Sequence, residues 1–384
     1  MMEGKTLNIL QTAVGKCCAA LHCAVACPLR DSTSPADVAK TILSKDVPAE
    51  ILTSVSTCSL CGLCNQACPH GVDVRNIMKH ARSSLIEQGL LDSECYRHLW
   101  VDHDWNVFTL FRAQYGLDYA YRDLIKDRCA TLFMPGCVLA NIGPELVHRA
   151  AEWIASRFQD VGIVLECCGA TLDEMAAEQR FADYSKKLWT YIKETGATTI
   201  VTACPTCHSR MTKANDNAGV EVISLFRLMA DAGVLIPTSK DRTITVHDSC
   251  TDREGAVGMA VREMLRDTTL AEMRHRGRNT ICCGSGGLVS AVAPEVCEQR
   301  AKERLKEVNE VEAETCLTYC MSCAHRLSRA ENDSGNAASI RHVLEFVFDL
   351  KVDHREFEAK ARALFEGERG EENIQLLNNS RLTA

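Results

Sequence analysis

The sequence predicts two tandem α/β modules with parallel strands, preceded by a mainly α-helical region. A set of five cysteines occurs twice with almost the same spacing, which indicates one module present in two copies. Three pairs of equivalent cysteines show the nearly constant offset: Cys137 with Cys250, Cys167 with Cys282, and Cys204 with Cys320. Within each copy, short apolar runs alternate with helical patterns, as expected for parallel strands joined by helices. Before the first copy, short cysteine runs are separated by helix-start signals.

The cysteine content indicates the cellular compartment of the protein and the type of chemistry it performs. Twenty-two cysteines are far more than packing requires, and a chain of 384 residues is too long for a small secreted disulfide scaffold. The segment from Met1 to Gly15 lacks an apolar stretch of secretory length, and no apolar run is long enough to predict a transmembrane segment. We therefore expect a cytoplasmic protein with reduced thiols, and docking at the inner face of the membrane stays open. The net charge of −8 gives no indication of a nucleic-acid partner.

The first motif is a cysteine run at positions 57–69 with the spacing C-x2-C-x2-C-x3-C-P, formed by Cys58, Cys61, Cys64 and Cys68. This spacing is typical of bacterial ferredoxins, in which three cysteines bind one [4Fe–4S] cluster and the fourth ligates a second cluster. Three closely spaced thiolates surround one face of a cubane cluster, and Gly62 eases the tight loop. A structural zinc site is the alternative interpretation.

A partner run lies upstream and consists of Cys17, Cys18, Cys23 and Cys27. Counted back from Cys27, two ligand positions fall on Cys23 and Cys17, whereas the remaining position falls on Ala20. The run resembles the [3Fe–4S] run of succinate dehydrogenase and fumarate reductase iron–sulfur subunits. A shifted loop that brings in Cys18 gives a [4Fe–4S] cluster instead, and we favour this alternative. In the crossed pattern of such pairs, Cys27 joins Cys58, Cys61 and Cys64, while Cys68 joins Cys17 and Cys23 with or without Cys18.

Helices are predicted between and after these runs. Ser34 is a suitable N-cap with Pro35 in the first helical position, for a helix that ends near Leu43. Asp73 similarly caps a helix that ends near Gln88, and the apolar stripe of this helix indicates core packing.

The segment 96–121 forms a linker that is rich in aromatic side chains. Eight of them lie here: Tyr96, Trp100, Trp105, Phe108, Phe111, Tyr115, Tyr119 and Tyr121. One interpretation is a docking surface for a partner or a quinone. The other, which we favour, is a helical hinge that packs the two cluster-binding regions together.

In the tandem modules, predicted strands end shortly before cysteines. The first module has predicted strands at Thr131–Met134, Val161–Leu165 and Thr198–Thr202, and helices from Pro144 to about Phe158 and over about Asp173–Glu194. The second has strands at Thr243–Val246 and Thr315–Thr318, with a break before Cys282 and Cys283. We expect all three cysteine-bearing loops in each copy to follow strands. Because ligands gather at the carboxyl ends of parallel strands, each five-cysteine set should then converge on one point. Four glycines are expected to let the backbone pass close to a bulky inorganic group: Gly169, Gly284, Gly286 and Gly287.

These sets resemble the cysteine-rich CCG domain, C-x(31–39)-C-C-x(35–36)-C-x-x-C. The second copy fits fully, whereas in the first copy the interval between Cys137 and Cys167 is slightly shorter than this pattern. The segments Met134–Cys137 and Val246–Cys250 are also similar to the family. A ferredoxin-like region followed by two such domains resembles CCG-domain iron–sulfur oxidoreductases. These include the D subunit of heterodisulfide reductase, the C subunit of anaerobic glycerol-3-phosphate dehydrogenase and the iron–sulfur subunits of glycolate oxidase. The resemblance covers about positions 15–345.

The resemblance implies that each five-cysteine set binds one noncubane [4Fe–4S] cluster and that the two clusters together cleave a disulfide. The implied ligands, which are also the cluster-borne catalytic residues, are Cys137, Cys167, Cys168, Cys204 and Cys207 in the first set and Cys250, Cys282, Cys283, Cys320 and Cys323 in the second. The leading hypothesis is therefore a heterodisulfide-reductase-like oxidoreductase subunit with two cubane-type and two noncubane clusters. It relays single electrons from other redox subunits to a disulfide or related sulfur substrate, or runs in reverse. The alternative is an electron-transfer subunit that links a flavin dehydrogenase, of the glycerol-3-phosphate or glycolate type, to membrane quinone or a cytochrome subunit.

Some single motifs have competing interpretations. Cys204–His208 matches the c-type haem motif, but the second copy lacks the histidine, and haem attachment normally requires export. A thioredoxin-like dithiol leaves the paired cysteines unexplained. Three histidines lie near cluster cysteines, where local hydrogen bonding is favoured over proton donation: His208, His247 and His325. Four cysteines outside the motifs are expected to be buried apolar residues: Cys95, Cys129, Cys297 and Cys316.

The predicted division of the chain follows these motifs. It consists of the helical ferredoxin-like domain at 1–95, the aromatic linker at 96–128, the first CCG module at 129–238, the second at 239–350, and a charged helix with a loose tail at 351–384.

Overall fold

The computed structural model describes residues 4–18, 23, 27, 33–215, 219–238, 242–334 and 338–383, with backbone only at 332–334. The loop around Ala20, on which the choice between a three-iron and a four-iron site depends, lies outside these residues. The predicted class is confirmed, because a mainly helical N-terminal region precedes two sheets whose strands are all parallel.

In the described part of the N-terminal region, the helices are α1 (Gly4–Lys16), α2 (Pro35–Ser44), α3 (Ala49–Ser56), α4 (Leu63–Ala67) and α5 (Val74–Glu87). Both predicted helix starts are confirmed. The side chain of Ser34 accepts a hydrogen bond from the Asp37 amide, and that of Asp73 accepts one from the Asn76 amide. The stripe of α5 is buried against α1, α2 and α3, so it serves core packing as predicted.

The linker contains a 3₁₀ helix (Ser93–Leu99) and the helices α6 (Val107–Gln114) and α7 (Leu117–Ala120). Tyr96 is fully buried and packs with Trp100 in the core that also contains Cys167. Phe111 packs against Leu364 near the C-terminus. These contacts support the packing interpretation for most of the segment.

The first module contains a four-stranded parallel sheet of order β2-β1-β3-β4. Its strands are β1 (Thr131–Met134), β2 (Val161–Ile163), β3 (Thr199–Thr202) and β4 (Glu221–Ser224). Its helices are α8 (Cys137–Ile142), α9 (Pro144–Ala155), α10 (Ala170–Glu174), α11 (Glu178–Thr195), α12 (Pro205–Ala214) and α13 (Leu225–Asp231). Parallel neighbours need crossover connections, and the helices between successive strands provide them.

One predicted helix of this module is wrong. The segment Asp173–Glu194 forms two helices, α10 and α11, because the chain turns at Ala176, whose φ of 63° lies in the left-handed region. The Ala177 amide donates to the Leu172 carbonyl and the Ala176 amide to the Asp173 carbonyl. This is the hydrogen-bond pattern of a Schellman motif, which ends a helix.

The second module has a three-stranded parallel sheet of order β5-β6-β7. Its strands are β5 (Ile244–His247), β6 (Thr315–Thr318) and β7 (Ser339–His342). Its helices are α14 (Ala256–Met264), α15 (Pro294–Glu310), α16 (Met321–Ser334) and α17 (Val343–Val347), with 3₁₀ helices at Gly277–Asn279 and Gly286–Ala291.

The expectation that each cysteine loop follows a strand is wrong at Cys282 and Cys283. At the position that β2 occupies in the first module, the second module has a single parallel bridge between Ile244 and Leu270. The chain then approaches the cysteines as a loop held by hydrogen bonds rather than by a ladder. In this loop the Gly277 amide donates to the Asp248 carboxylate.

Both sheets contribute to one apolar core. Val201 of β3 and Leu146 of α9 belong to the same buried cluster as Val246 of β5 and Leu317 of β6. The two modules are therefore packed through their apolar faces, and this packing sets how the two cysteine sets face each other.

The C-terminal part forms two helices, α18 (His354–Ala363) and α19 (Gly367–Asn379), instead of the single helix and loose tail that were predicted. The tail is docked, since the Thr383 amide donates to the Asp102 carbonyl (2.8 Å) and the Asp104 amide to the Arg381 carbonyl (2.9 Å). No helix within the described part of the chain has the length and apolar character needed to cross a membrane.

Candidate metal–sulfur site

One cavity of about 530 Å³ lies between the two modules and contains most of the duplicated cysteines. Nine of the ten line its wall: Cys137, Cys167, Cys168, Cys204, Cys207, Cys250, Cys283, Cys320 and Cys323. The sequence predicted that each set converges. The structure places both sets on the same cavity, which the sequence did not predict.

In the first set, three cysteines lie at or just before helix starts. Cys137 begins α8, Cys204 is the N-cap of α12, and Cys168 stands two positions before the start of α10. The positive end of a helix dipole favours thiolate there. A hydrogen bond from Cys207, followed by one from Cys320, holds the pKa of Cys204 well below its usual range.

Three other thiols of this set, Cys167, Cys168 and Cys207, have pKa values shifted in the opposite direction. The pKa of Cys167 is raised, first by a hydrogen bond with Cys137, whose Sγ lies 4.0 Å away. That of Cys168 is raised by Cys167. Each ionised thiol thus suppresses ionisation of the next, because like charges at short range repel. Gly136 has a φ of 89°, and a Cβ there would lie 2.8 Å from the Cβ of Cys204.

The second set also combines a thiol of lowered pKa with thiols of raised pKa, but the distances between its sulfur atoms differ from those of the first set. The Sγ atoms of Cys283 and Cys323 lie 3.0 Å apart. A hydrogen bond from Cys250 holds the pKa of Cys282 well below its usual range, and the Gly284 amide also donates to the Cys282 sulfur (3.3 Å). Cys320 contacts Cys204 of the first set, and this contact is the largest cause of the raised pKa of Cys320.

The donor set suits an iron–sulfur group. The ten thiols form no disulfide, most are buried, and their main side-chain partners are other thiols. Several thiolates cannot coexist at such distances without positive charge between them, and iron supplies it. Soft thiolate ligands favour iron–sulfur clusters or zinc over magnesium or calcium.

A second cavity of about 410 Å³ lies at the boundary of the N-terminal region. Four cysteines that were predicted to bind one cluster line it: Cys27, Cys58, Cys61 and Cys64. Cys17, Cys23 and Cys68 do not line this cavity, and Cys18 is exposed. The structure therefore brings together one of the two predicted N-terminal ligand sets, including its member from the upstream run.

Of the ten cysteines in the two five-cysteine sets, Cys282 lines the second cavity. Burial, followed by the charge of Cys282, raises the pKa of Cys61 to about 11. The Arg253 guanidinium donates from Nε to the Cys61 carbonyl (2.7 Å), and Arg300 donates to Ser59 Oγ. Cys282 thus belongs to the second five-cysteine set and also borders the N-terminal site.

The four glycines lie close to other parts of the chain, and their predicted role beside an inorganic group stays a prediction. A Cβ at Gly286 would lie 2.6 Å from the Ser59 carbonyl oxygen, and one at Gly287 would lie 2.2 Å from that of Cys58. At Gly284 the obstacle would be the Cys297 carbonyl, and at Gly169 the ring of Phe181. These glycines make room for other parts of the chain, and Gly286 and Gly287 allow the ferredoxin-like loop to lie directly on the second module.

We expect Gly287→Ala to lower the free energy of unfolding by about 3 kcal/mol, since it combines a positive φ with a clash against backbone. Gly277→Ala is the matched control, because Gly277 has a φ of 53° but open space around its Cβ position. The control should cost only about 1 kcal/mol. Anaerobic urea denaturation measures both, and equal losses would show that the contact with Cys58 contributes nothing.

Arg82 connects three parts of the chain. Its guanidinium is fully buried and donates to the carbonyls of Cys58 (2.8 Å), Glu174 (2.8 Å) and Gly287 (2.7 Å). These carbonyls belong to the N-terminal region, the first module and the second module, respectively. Nothing in the sequence distinguished this arginine from others, because its partners are distant backbone atoms.

The three histidines near the cysteines have different surroundings. Nδ1 of His208 hydrogen-bonds locally with Thr202 Oγ1 (3.2 Å), as favoured from the sequence. His325 lines the large cavity and pairs with Glu358 (3.3 Å). His247 is fully buried, and one of its ring nitrogens lies within 4.8 Å of the sulfurs of Cys283 and Cys323. Proton donation by these residues stays a prediction.

The cysteines outside the motifs are mostly buried, as predicted. Cys129, Cys297 and Cys316 are at most 4% exposed. Cys95 is only half-buried, and its thiol donates to the Asp92 carbonyl.

Sequence reasoning missed the wall of the large cavity beyond the cysteines. This wall includes Phe108 and Phe111 of the linker, Arg326 and Arg329 of α16, and Phe357 of α18. The aromatic linker is evident in the sequence, but no sequence signal links α18 to the site.

The cysteine-rich domain family (CCG) matches residues 131–212 and 244–328. The chain contains two CCG domains. It is also homologous to the D subunit of heterodisulfide reductase and to other iron–sulfur proteins, so the predicted resemblance is confirmed and an iron–sulfur electron-transfer role is supported. The number and types of clusters are taken up as a proposal below.

The relatives are distant in sequence. An uncharacterised iron–sulfur protein of Methanococcus maripaludis is 23% identical over 71% of this chain and 57% of that protein. The D subunit of the dihydromethanophenazine:CoB–CoM heterodisulfide reductase of Methanosarcina mazei is 23% identical over 81% of this chain and 80% of that relative. The B subunit of the CoM/CoB fumarate reductase of Methanothermobacter marburgensis is 22% identical over 76% and 60%, respectively. The chain thus spans less than two thirds of the length of the Methanococcus and Methanothermobacter relatives.

Proposed function

We propose that this chain is an oxidoreductase subunit of heterodisulfide reductase type. It relays single electrons from a partner through N-terminal iron–sulfur clusters to a pair of noncubane [4Fe–4S] clusters. At this pair, a disulfide or related sulfur substrate is reduced or formed. The observation that carries the proposal is the single cavity on which both five-cysteine sets lie. Two separate electron-transfer sites would not need a common cavity.

The residues would divide as follows. The first set would hold one noncubane cluster and the second set the other, while Cys27, Cys58, Cys61 and Cys64 would hold a cubane cluster. Cys17, Cys23 and Cys68, with or without Cys18, would hold the remaining cluster. Bound clusters would supply one-electron redox chemistry.

The cavity extends beyond the cysteines, which supports a substrate in addition to cofactors. Phe108, Phe111 and Phe357 give it an apolar wall, and Arg326 and Arg329 provide cationic groups. The aromatic side chains would exclude water from the sulfur ligands, while the arginines would orient an anionic part of the substrate.

The second module would exchange electrons with the N-terminal region. The boundary cavity is lined by Cys282 and, as far as the structure describes its wall, by no cysteine of the first set. Gly286 and Gly287 bring the loop of Cys58 into van der Waals contact with this module. Short separation favours electron transfer here over a route to the first set.

The alternative is an electron-transfer subunit that links a flavin dehydrogenase to quinone. It is favoured by the aromatic wall of the large cavity, since Phe108, Phe111 and Phe357 would suit a quinone ring as well as a disulfide.

Anaerobically purified protein tests the proposal. Reducing a disulfide takes two electrons and two protons and yields two thiols, so methyl viologen reduced by dithionite would serve as donor. We expect brown protein in which glutathione disulfide, cystine or oxidised dithiothreitol, added to the reduced protein, reoxidises the clusters, releases thiols and produces a new paramagnetic signal. No response to these disulfides, together with reduction by duroquinol, would favour the alternative. Colourless protein that contains zinc would contradict both.

A further inference from the structure

His247 ends strand β5 behind the second cysteine set. Its side chain is fully buried, and one ring nitrogen lies within 4.8 Å of the Sγ atoms of Cys283 and Cys323. Nε2 is buried without a hydrogen-bond partner among the described residues. His247 does not line the large cavity, so it faces the cysteines and not the space for a substrate.

Arg304 determines which nitrogen of His247 carries the proton. Its Nε donates to Nδ1 of His247 at 2.9 Å. Since arginine only donates hydrogen bonds, Nδ1 must accept and the ring proton must lie on Nε2. Arg304 is itself fully buried and is held by Glu307, which accepts from Nη1 at 2.8 Å. The neutral Nε2–H tautomer is thus built into the fold.

The equivalent positions of the first module carry no such pair. Met134 ends β1 and pairs with Thr202 of β3, just as His247 ends β5 and pairs with Thr318 of β6. A methionine offers no hydrogen-bond donor. By the offsets of the equivalent cysteines, the positions that correspond to Arg304 are the buried apolar residues Leu188 and Trp189.

Resting on the proposed function, we propose that His247 is a positioning residue that donates a hydrogen bond from Nε2 to the sulfur of Cys283 or Cys323 and makes the second cluster the easier of the two to reduce. A donor to a ligand sulfur stabilises the reduced state, which carries more negative charge, and so raises the reduction potential. The first cluster has Met134 at the equivalent position, which cannot donate. The two otherwise similar clusters would thereby differ in reduction potential. Electrons that arrive near Cys282 would then reduce the cluster of the second set first.

The test is an anaerobic redox titration of the intact chain followed by electron paramagnetic resonance, with two substitutions. His247→Met copies the first module, and His247→Gln keeps an N–H donor at a similar reach. We expect His247→Met to lower the reduced-to-oxidised ratio of one noncubane cluster about tenfold at a fixed potential, which is about 59 mV for a one-electron couple. His247→Gln should restore most of the shift, and the other cluster should not change.

The outcomes separate this inference from the proposed function. If the wild type shows no noncubane signals, the proposed function fails and the inference fails with it. If the wild type shows both signals but His247→Met shifts neither at full iron content, only the inference is overturned. Loss of one cluster's iron from both variants would also overturn it, because His247 would then be a ligand or a packing residue.

Discussion

We expect Cys283→Ser to remove the signal of one noncubane cluster and to lower disulfide reduction by about 100-fold or more. The Sγ of Cys283 lies 3.0 Å from that of Cys323, and its pKa is raised to about 12 by its hydrogen bond with Cys282. It is therefore central to the second set. A serine hydroxyl is a harder donor that does not replace thiolate sulfur. Iron content, paramagnetic resonance and turnover with the active disulfide measure the effect.

Cys316→Ser is the matched control. Cys316 is a fully buried cysteine of the same module, in β6, but it belongs to neither five-cysteine set. Burial raises the pKa of its thiol to about 12, and it does not line the large cavity, so we assign it to packing. The control should keep its clusters and lose about 1–3 kcal/mol of stability, because a hydroxyl is buried there. Equal iron loss from both variants would contradict the assignment of Cys283 as a ligand.

Arg82→Met should lower the free energy of unfolding by about 3–5 kcal/mol. The substitution removes the donor for carbonyls in all three cluster-binding parts of the chain, and each buried acceptor left without a partner costs about 1–3 kcal/mol. Because the guanidinium is fully buried, water does not replace it. Anaerobic urea denaturation, followed by circular dichroism and by cluster absorbance, measures the loss.

Arg97→Met provides the comparison, since Arg97 lies in the linker and pairs with Glu94 on the surface. This ion pair should contribute less than about 1 kcal/mol. We also expect Arg82→Met to release the N-terminal region before the modules unfold, which would appear as two transitions. A single transition with an unchanged midpoint would show that the modules hold the N-terminal region without Arg82.

Local patterns predicted the elements that depend on neighbouring residues. The strands at Thr131–Met134 and Thr315–Thr318 appear with the predicted bounds, since both are short apolar runs between turn signals. The caps at Ser34 and Asp73 were also predicted, because a side chain and a nearby amide in the first helical turn suffice to form them.

Elements that depend on distant partners were missed. Strands β4 and β7 pair at one edge of their sheets and are partly exposed, so they lack the continuous buried run of β1 and β6. The turn at Ala176 has no glycine, the residue that usually indicates such a helix end in a sequence. The docked tail was predicted to be loose because its partners, Asp102 and Asp104, lie in the linker, far from the C-terminus along the chain.

By itself the sequence determined the chemistry of this protein: two repeated five-cysteine sets and a ferredoxin-like run, each close enough in the chain to gather soft sulfur donors. Only the tertiary structure decided that both sets face one cavity and that Cys282 borders the N-terminal site. The reason is physical, because the cysteines of one run or one set are brought together by a local loop or by the strands and helices of a single module. The placement of one set against the other depends on a common apolar core, on the close approach of Gly287 to Cys58, and on Arg82. The hydrogen-bond partners of Arg82 are distant backbone atoms, which no sequence pattern indicates.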